Sequence, residues 1–284
     1  MTDWISRWEN NKIGWHADQI NRQLIEYLDQ LNLSSGDTIF FFLCGKTKDM
    51  LFLLENQINV IGVEMSSIAA EQFFSENNLS YSISNLDGFI LYEGDGIRIY
   101  CGNYFDLEVN HLQEVKAVYD RASLIALDEA LRQKYVKHLN DIIAQGVRIL
   151  LLTLNYPQHQ RSGPPFAVSK FEVDELFRVS FQCRELECIN DIENEPMFQN
   201  LGVDFVEKEK YFVHQKNVFN KSRLRSETRV KFKVESSDKG LVAVDVKLEK
   251  VVEESEPLTD NDIKAMFGVL LVFQLIVAYF VFFG

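Results

Sequence analysis

Five strand-length runs of consecutive apolar residues, separated by stretches with helical spacing, constrain this chain more than any other feature. The runs are Thr38 to Leu43, Val60 to Val63, Ile97 to Cys101, Val115 to Tyr119 and Val147 to Leu154. A strand with one wet face alternates apolar and polar residues, so continuous runs imply a sheet covered on both faces. The covering elements are legible between them. Asp49 to Asn56, Ser66 to Glu76, Asp128 to Gln145 and Ser169 to Phe177 carry helical spacing, with Ser66 and Ser169 as N-caps and Gly146 as a C-terminal stop. The pattern predicts a doubly wound α/β sheet, whose ligand sits at the carboxyl ends of its strands.

Charge divides the chain in two. Of 29 basic and 42 acidic side chains, residues 218–284 hold ten of each, so the net charge of -13 lies on residues 1–217. That field repels phosphate backbones, and no nucleic-acid partner is expected. Three regions follow: a folded domain over 1–217, an extension over 218–265, and a tail over 266–284. In the extension, Arg229 to Glu235 and Leu241 to Lys247 alternate around Ser237-Asp238-Lys239-Gly240 and predict a β-hairpin. Glu253 to Asp262 reads as an acidic linker. The tail, Met266 to Gly284, has Gln274 as its one strongly polar side chain and as a helix would reach about 28 Å, the thickness of a bilayer core. It is expected to be a hydrophobic C-terminal helix anchoring the protein in a membrane, with a buried core helix as the alternative. Four cysteines and a charged N-terminus without an apolar h-region point to a reducing, cytoplasmic location for the body of the chain.

At the strand ends the chemistry narrows. The first run leads into Cys44-Gly45-Lys46-Thr47, a glycine turn with neither the three-glycine dinucleotide pattern nor a phosphate loop. The second ends at Glu64, where an acidic residue of such a fold hydrogen-bonds ribose hydroxyls, although a helix-flanking surface glutamate would look the same. Glycine turn and carboxylate together suit a nucleoside without a pyrophosphate, and S-adenosylmethionine is the obvious such cofactor. The five dispersed histidines and Cys183-x4-Cys188 give no metal spacing, no GxSxG elbow is present, and Cys44 and Cys101 read as buried hydrophobes.

Several motifs then carry a resemblance. Trp4-x-x-x-Trp8 with Gly14-Trp15-His16, Leu43-Cys44-Gly45-Lys46-Thr47-x-Asp49-Met50, Gly62-Val63-Glu64-Met65-Ser66, Tyr119-Asp120-Arg121-Ala122-Ser123-Leu124 and Gly163-Pro164-Pro165-Phe166 occur in the order found in the thiopurine S-methyltransferase family. The chain resembles that family over about residues 4–215. The resemblance implies a Rossmann-like class I methyltransferase fold with a seven-stranded mixed sheet, S-adenosylmethionine as cofactor, and methylation of sulfur, or of selenium and tellurium, in small acceptors. It also implies that Trp8 and Leu43 flank the cofactor, Glu64 holds the ribose, Asn103 and Tyr104 lie beside the adenine, Arg121 stands at the methionine end or the substrate, and Trp15 lines the substrate pocket. Plain core burial of Trp8, a turn-forming Asn103 and an ion-paired Arg121 remain the structural alternatives. Phe42 stands where the family has proline, Leu127-Asp128 replaces its Leu-Pro, and nothing in the family accounts for the extension. His16 and Asp120 are candidate general bases. The competing reading is a membrane-tethered cofactor-binding protein that keeps the fold without transfer activity.

Overall fold

The computed structural model describes residues 3–215, 230–237 and 240–248, and the chain divides into two compact units, Met1–Val218 and Phe219–Gly284. The first unit is built on nine strands: β1 (Thr38–Phe41), β2 (Asn59–Glu64), β3 (Ser82–Leu86), β4 (Phe89–Gly94), β5 (Ile97–Cys101), β6 (Val115–Arg121), β7 (Arg148–Asn155), β8 (Phe181–Asn190) and β9 (Glu207–Gln215). Their order in the sheet is β3-β4-β5-β2-β1-β6-β7-β9-β8. The five runs read from the sequence form the parallel centre, β5-β2-β1-β6-β7, with antiparallel strands on both flanks. Chain direction across the sheet reverses between β1 and β6, which opens a crevice above their carboxyl ends.

Alternate residues of the central strands feed two cores. Ile39, Phe41, Val60, Ala117, Tyr119 and Leu150 pack with Met50, Leu53, Ala70, Phe73 and Phe74 on one face; Phe40, Phe42, Ile61, Val63, Val118, Ile149 and Leu151 pack with Tyr135, Val136, Leu139, Val173 and Phe177 on the other. The helices that supply these residues are α3 (Asp49–Glu55) and α4 (Ser67–Glu76) on the first face, α5 (Glu129–Ile142) and α6 (Lys170–Phe177) on the second. Ahead of them lie two short N-terminal helices, α1 (Trp4–Glu9) and α2 (Arg22–Tyr27), and behind them a four-residue helix, α7 (Pro196–Gln199). Ser66 and Ser169 cap α4 and α6, accepting from the amides of Ala69 and Glu172.

Three expectations are corrected. The sheet has nine strands rather than seven, because the hairpin of β3 and β4 extends its edge beyond β5. The helix read as Asp128 to Gln145 ends at Ile142: Ile143 turns extended and buries its side chain, and Gly146, at φ +85°, turns the chain toward β7 instead of closing the helix. The first strand stops at Phe41, two residues early, because Leu43 adopts φ +38°.

In the second unit, β10 (Val230–Ser237) and β11 (Gly240–Leu248) pair antiparallel from Val230↔Leu248 to Ser237↔Gly240, the hairpin expected there. Among the described residues no helix is long and apolar enough to cross a membrane; the tail read as a spanning helix, 266–284, lies outside those residues.

Candidate active site

A cavity of about 360 Å³ opens above the carboxyl ends of β2, β1, β6 and β7 and the amino end of antiparallel β9, five consecutive neighbours in the sheet. At its β2 end stands Glu64, 6% exposed. Its Oε2 accepts from the Gly45 amide at 2.8 Å and its Oε1 from the Ser66 amide at 2.9 Å. Burial pushes the carboxyl up from its ordinary value, and the amides of Ser66 and Gly45 pull it back. The turn after β1 is shaped for this contact. Gly45 has φ +53°, and a Cβ there would stand 3.2 Å from Trp8 Cζ2. The turn holds its neighbours in a left-handed backbone as well, with Leu43 at φ +38° and Ala122, after β6, at φ +65°, both lining the cavity. Such conformations cost non-glycine residues about 1–3 kcal/mol each and cluster at functional sites.

An aromatic cluster closes the N-terminal side. Trp8 is buried and meets Trp15 edge-on at 6.0 Å between ring centroids; Trp15 meets Trp4 at 5.1 Å, and the Arg7 guanidinium lies over the rings of Trp4 and Trp15. At the end of β6, Arg121 Nη1 lies 3.5 Å from Asp49 Oδ2. Asp49 is fully buried at the start of α3, accepts from the Asn21 amide at 2.7 Å, and is pushed up by burial against the pull of that amide and of Arg121. Arg121 is thus anchored through Asp49 rather than through adjacent Asp120. A smaller recess of about 50 Å³ joins the cavity here and contains His16, Asp49 and Tyr119.

The structure therefore brings Trp8, Trp15, Leu43, Glu64 and Arg121 to one cavity. Asn103 and Tyr104 are not among its lining residues. The Asn103 side chain closes its own turn, accepting from the Phe105 amide and donating to Asp106, and Tyr104 is buried with its hydroxyl donating to the Tyr135 carbonyl. Of the two candidate bases, Asp120 is buried and lines neither the cavity nor the recess, takes a 2.7 Å hydrogen bond from Tyr135 and is pushed up to about 6 by burial. His16 borders the recess, and burial together with Lys46 lowers its pKa, favouring the neutral imidazole. Cys44 and Cys101 are buried with thiols pushed up, Cys101 to about 11, so neither supplies a thiolate.

Sequence reasoning missed the far wall. Thr153 on β7 and Lys208, Glu209 and Lys210 on β9 line the cavity, with Pro164 and Pro165 beside them. A Glu-Lys-Glu-Lys quartet reads as solvated surface; its one sequence signal is that it runs without a break into the apolar Tyr-Phe-Val.

Comparison with known proteins gives this geometry a family. The model of the thiopurine S-methyltransferase family matches residues 1–216. The thiopurine S-methyltransferase of Nitrosospira multiformis is 43% identical over 202 residues, covering 70% of this chain and 91% of that protein. The chain belongs to the thiopurine S-methyltransferase family. A probable thiopurine S-methyltransferase of Yarrowia lipolytica is 40% identical over 209 residues, covering 72% and 95% of the two chains. Among solved structures, an S-adenosylmethionine-dependent methyltransferase of Anabaena variabilis superimposes with a TM-score of 0.53 at 12% identity, over 75% of this chain and 93% of that one. Phosphoethanolamine N-methyltransferase 2 of Haemonchus contortus, solved with S-adenosylhomocysteine, gives 0.50 at 9% identity over 68% of this chain. Only about half of that larger enzyme, 52%, is spanned. These two likenesses establish the class I methyltransferase fold, and membership of the thiopurine S-methyltransferase family makes the chain an S-adenosylmethionine-dependent S-methyltransferase. A cofactor-binding protein without transfer activity is not favoured. The residues fit the cofactor: a buried carboxylate preset by two amides, and a glycine cradle that a Cβ would fill against Trp8.

Proposed function

We propose that this cavity seats S-adenosylmethionine at its β2–β1 end and a small, flat, soft nucleophile at its β7–β9 end. The acceptor is an aromatic or heteroaromatic thiol of the thiopurine kind, with selenium and tellurium compounds as the other candidates. The single observation carrying this reading is the buried Glu64, held by the Gly45 and Ser66 amides at one end of a cavity that continues across five strands. When bound, the cofactor supplies an electrophilic methyl group on a sulfonium centre. Glu64 accepts the ribose hydroxyls, Trp8 and Leu43 flank the nucleoside, and the adenine points toward the turn at Asn103 and Tyr104, which follows β5 beside β2. Arg121, oriented by Asp49, holds an anionic group of the methionine end or the acceptor, and Trp15 covers the acceptor against water. No covalent nucleophile is required, because a thiolate or comparable soft sulfur nucleophile attacks the methyl group directly once it is positioned.

A methyl-transfer assay with labelled cofactor against thiols, selenols and tellurite tests the acceptor class. Turnover with aromatic thiols is the expected result. Tight cofactor binding without turnover over the panel would instead favour the binding-protein reading.

The chain's charge pattern supports one further proposal, that the catalytic unit is cytosolic and held at a membrane by Met266 to Gly284. Nineteen residues without a formal charge, preceded by Lys264, support it. Deleting 266–284 should release an active enzyme from the membrane fraction. A full-length protein that fractionates as soluble without detergent would refute the anchor.

A further inference from the structure

Two buried carboxylates line the cavity, and the proposed chemistry employs one of them. The other is Glu209 on β9, 4% exposed. Thr153 Oγ1 donates to it at 3.2 Å and the Tyr211 hydroxyl donates as well, both to Oε2, so neither bond engages Oε1. The cations beside it are committed elsewhere: Lys208 pairs with Asp191 and Glu195, each at 2.6 Å, and Lys210 with Glu187. A buried carboxylate whose neighbouring ammonium groups face other partners keeps its own capacity to accept a hydrogen bond.

Its position says which ligand it meets. β9 lies four strand spacings from β2, so Glu209 stands roughly 19 Å across the sheet from Glu64, too far to touch the same ribose. Leu152, Leu154, Pro164 and Pro165 line the cavity near it, together with Lys208 and Lys210. A buried carboxylate whose neighbouring ammonium groups pair with other carboxylates favours a ring that presents an N–H donor, and a neutral thione spares it the second negative charge that a thiolate would bring.

We propose that Glu209 recognises the methyl acceptor: Oε1 accepts the ring N–H of a heteroaromatic thione in which N–H and C=S are adjacent, and takes that proton as the sulfur is methylated. This rests on the S-methyltransferase reading of the cavity and narrows its acceptor class. The thione sulfur forms a bond to the methyl carbon, and the methyl–sulfonium bond breaks with its electron pair remaining on the departing thioether sulfur. The ring nitrogen, now acidic, gives its proton to Oε1, so the cofactor's positive charge leaves as that proton and both organic products are neutral at the reacting atoms. The Thr153 and Tyr211 hydroxyls hold Oε2 throughout.

The test compares pyridine-2-thione, its N-methyl analogue and thiophenol on the full-length protein. With S-adenosylhomocysteine present, tryptophan fluorescence should report at least tenfold tighter binding of the N–H thione than of the N-methyl thione. Glu209→Gln should reduce that preference to within threefold and lower the ratio of kcat/KM for pyridine-2-thione to that for thiophenol at least tenfold, with S-adenosylhomocysteine affinity within threefold of wild type. Equal binding of the two thiones by wild type, or an unchanged ratio in Glu209→Gln, overturns the assignment. Should the variant fail to fold, the wild-type preference between the two thiones decides alone. Wild-type turnover of thiophenol without that preference removes only the role of Glu209, whereas absence of transfer to every thiol removes the S-methyltransferase reading with it.

Discussion

Glu64 and Glu209 are buried to nearly the same degree on one cavity, yet they are held in different ways. Glu64 is fixed by two backbone amides, Gly45 and Ser66, whereas Glu209 is fixed by two side-chain hydroxyls, Thr153 and Tyr211. An amide donor survives almost any side-chain substitution, and a hydroxyl donor does not. The Glu64 end is therefore built into the path of the chain between β1 and α4 and suits a ligand that never changes. The Glu209 end depends on residue identity and can be retuned to different acceptors by single substitutions. Both carboxyls are pushed up by burial, so the contrast lies in what opposes that push.

The largest expected effect breaks the backbone-held end. Glu64→Ala removes the ribose contact and leaves the amides of Gly45 and Ser66 buried without an acceptor, at about 1–3 kcal/mol per orphaned donor. Affinity for S-adenosylhomocysteine by calorimetry should fall roughly 10- to 100-fold. An unchanged affinity would mean the amide-held carboxylate is purely structural. Asp120 gives a mixed case, with one donor from the backbone, Leu124, and one from a side chain, Tyr135. Its carboxyl titrates at about 6 in the folded state against an ordinary 3.8. Between those values the folded state binds more protons than the unfolded one, so this group's contribution to stability falls as pH rises from about 4 to about 6. Asp120→Asn removes that linkage. Relative to wild type, the variant should gain about 2–3 kcal/mol of stability between pH 4 and pH 7, offset by a constant loss from altered hydrogen bonding. Parallel stability curves for the two proteins would refute it.

Arg121 sits between the two ends and sharpens the contrast, because it is oriented by one side chain, Asp49. Lysine keeps the charge but loses the planar fork, so Arg121→Lys should lower kcat about tenfold while melting temperature moves little. A loss confined to stability would leave Arg121 as an ion-pair partner of Asp49 alone.

The same contrast explains what the sequence could reveal. The five central strands were legible because strands covered on both faces must be apolar at every position, and Glu64 was legible because it ends one of them next to a glycine turn. β3, β4, β8 and β9 were not. β3 is exposed along its whole length, β4 mixes buried and exposed positions, β8 is mostly wet, and β9 opens with Glu207, Lys208, Glu209 and Lys210, of which Glu209 and Lys210 are buried with partners that include Thr153 on β7 and Glu187 on β8. Charge that is satisfied by tertiary neighbours looks, in one dimension, like charge satisfied by water. The left-handed backbone at Leu43 and Ala122 was equally hidden, since neither residue type announces it.

The smallest effect concerns Asn103, which family resemblance assigns to the adenine and whose side chain instead closes a three-residue turn. It accepts from the Phe105 amide at 3.3 Å and donates to Asp106 at 3.1 Å, so both ends of the amide group are engaged within four residues of chain. If the turn borders adenine through its backbone, the side chain matters only for holding that backbone. Asn103→Ala should then cost about 0.5–1 kcal/mol of stability, as loss of an exposed cap does, and weaken S-adenosylhomocysteine by less than about threefold. Asn103→Asp, which keeps the acceptor for Phe105 but sets a second carboxylate beside Asp106, should be the less stable of the two variants, and more so at low salt. A tenfold or greater loss of cofactor affinity in Asn103→Ala at unchanged melting temperature would show the side chain swinging out to read the base, and would make the adenine end, like the Glu209 end, dependent on residue identity.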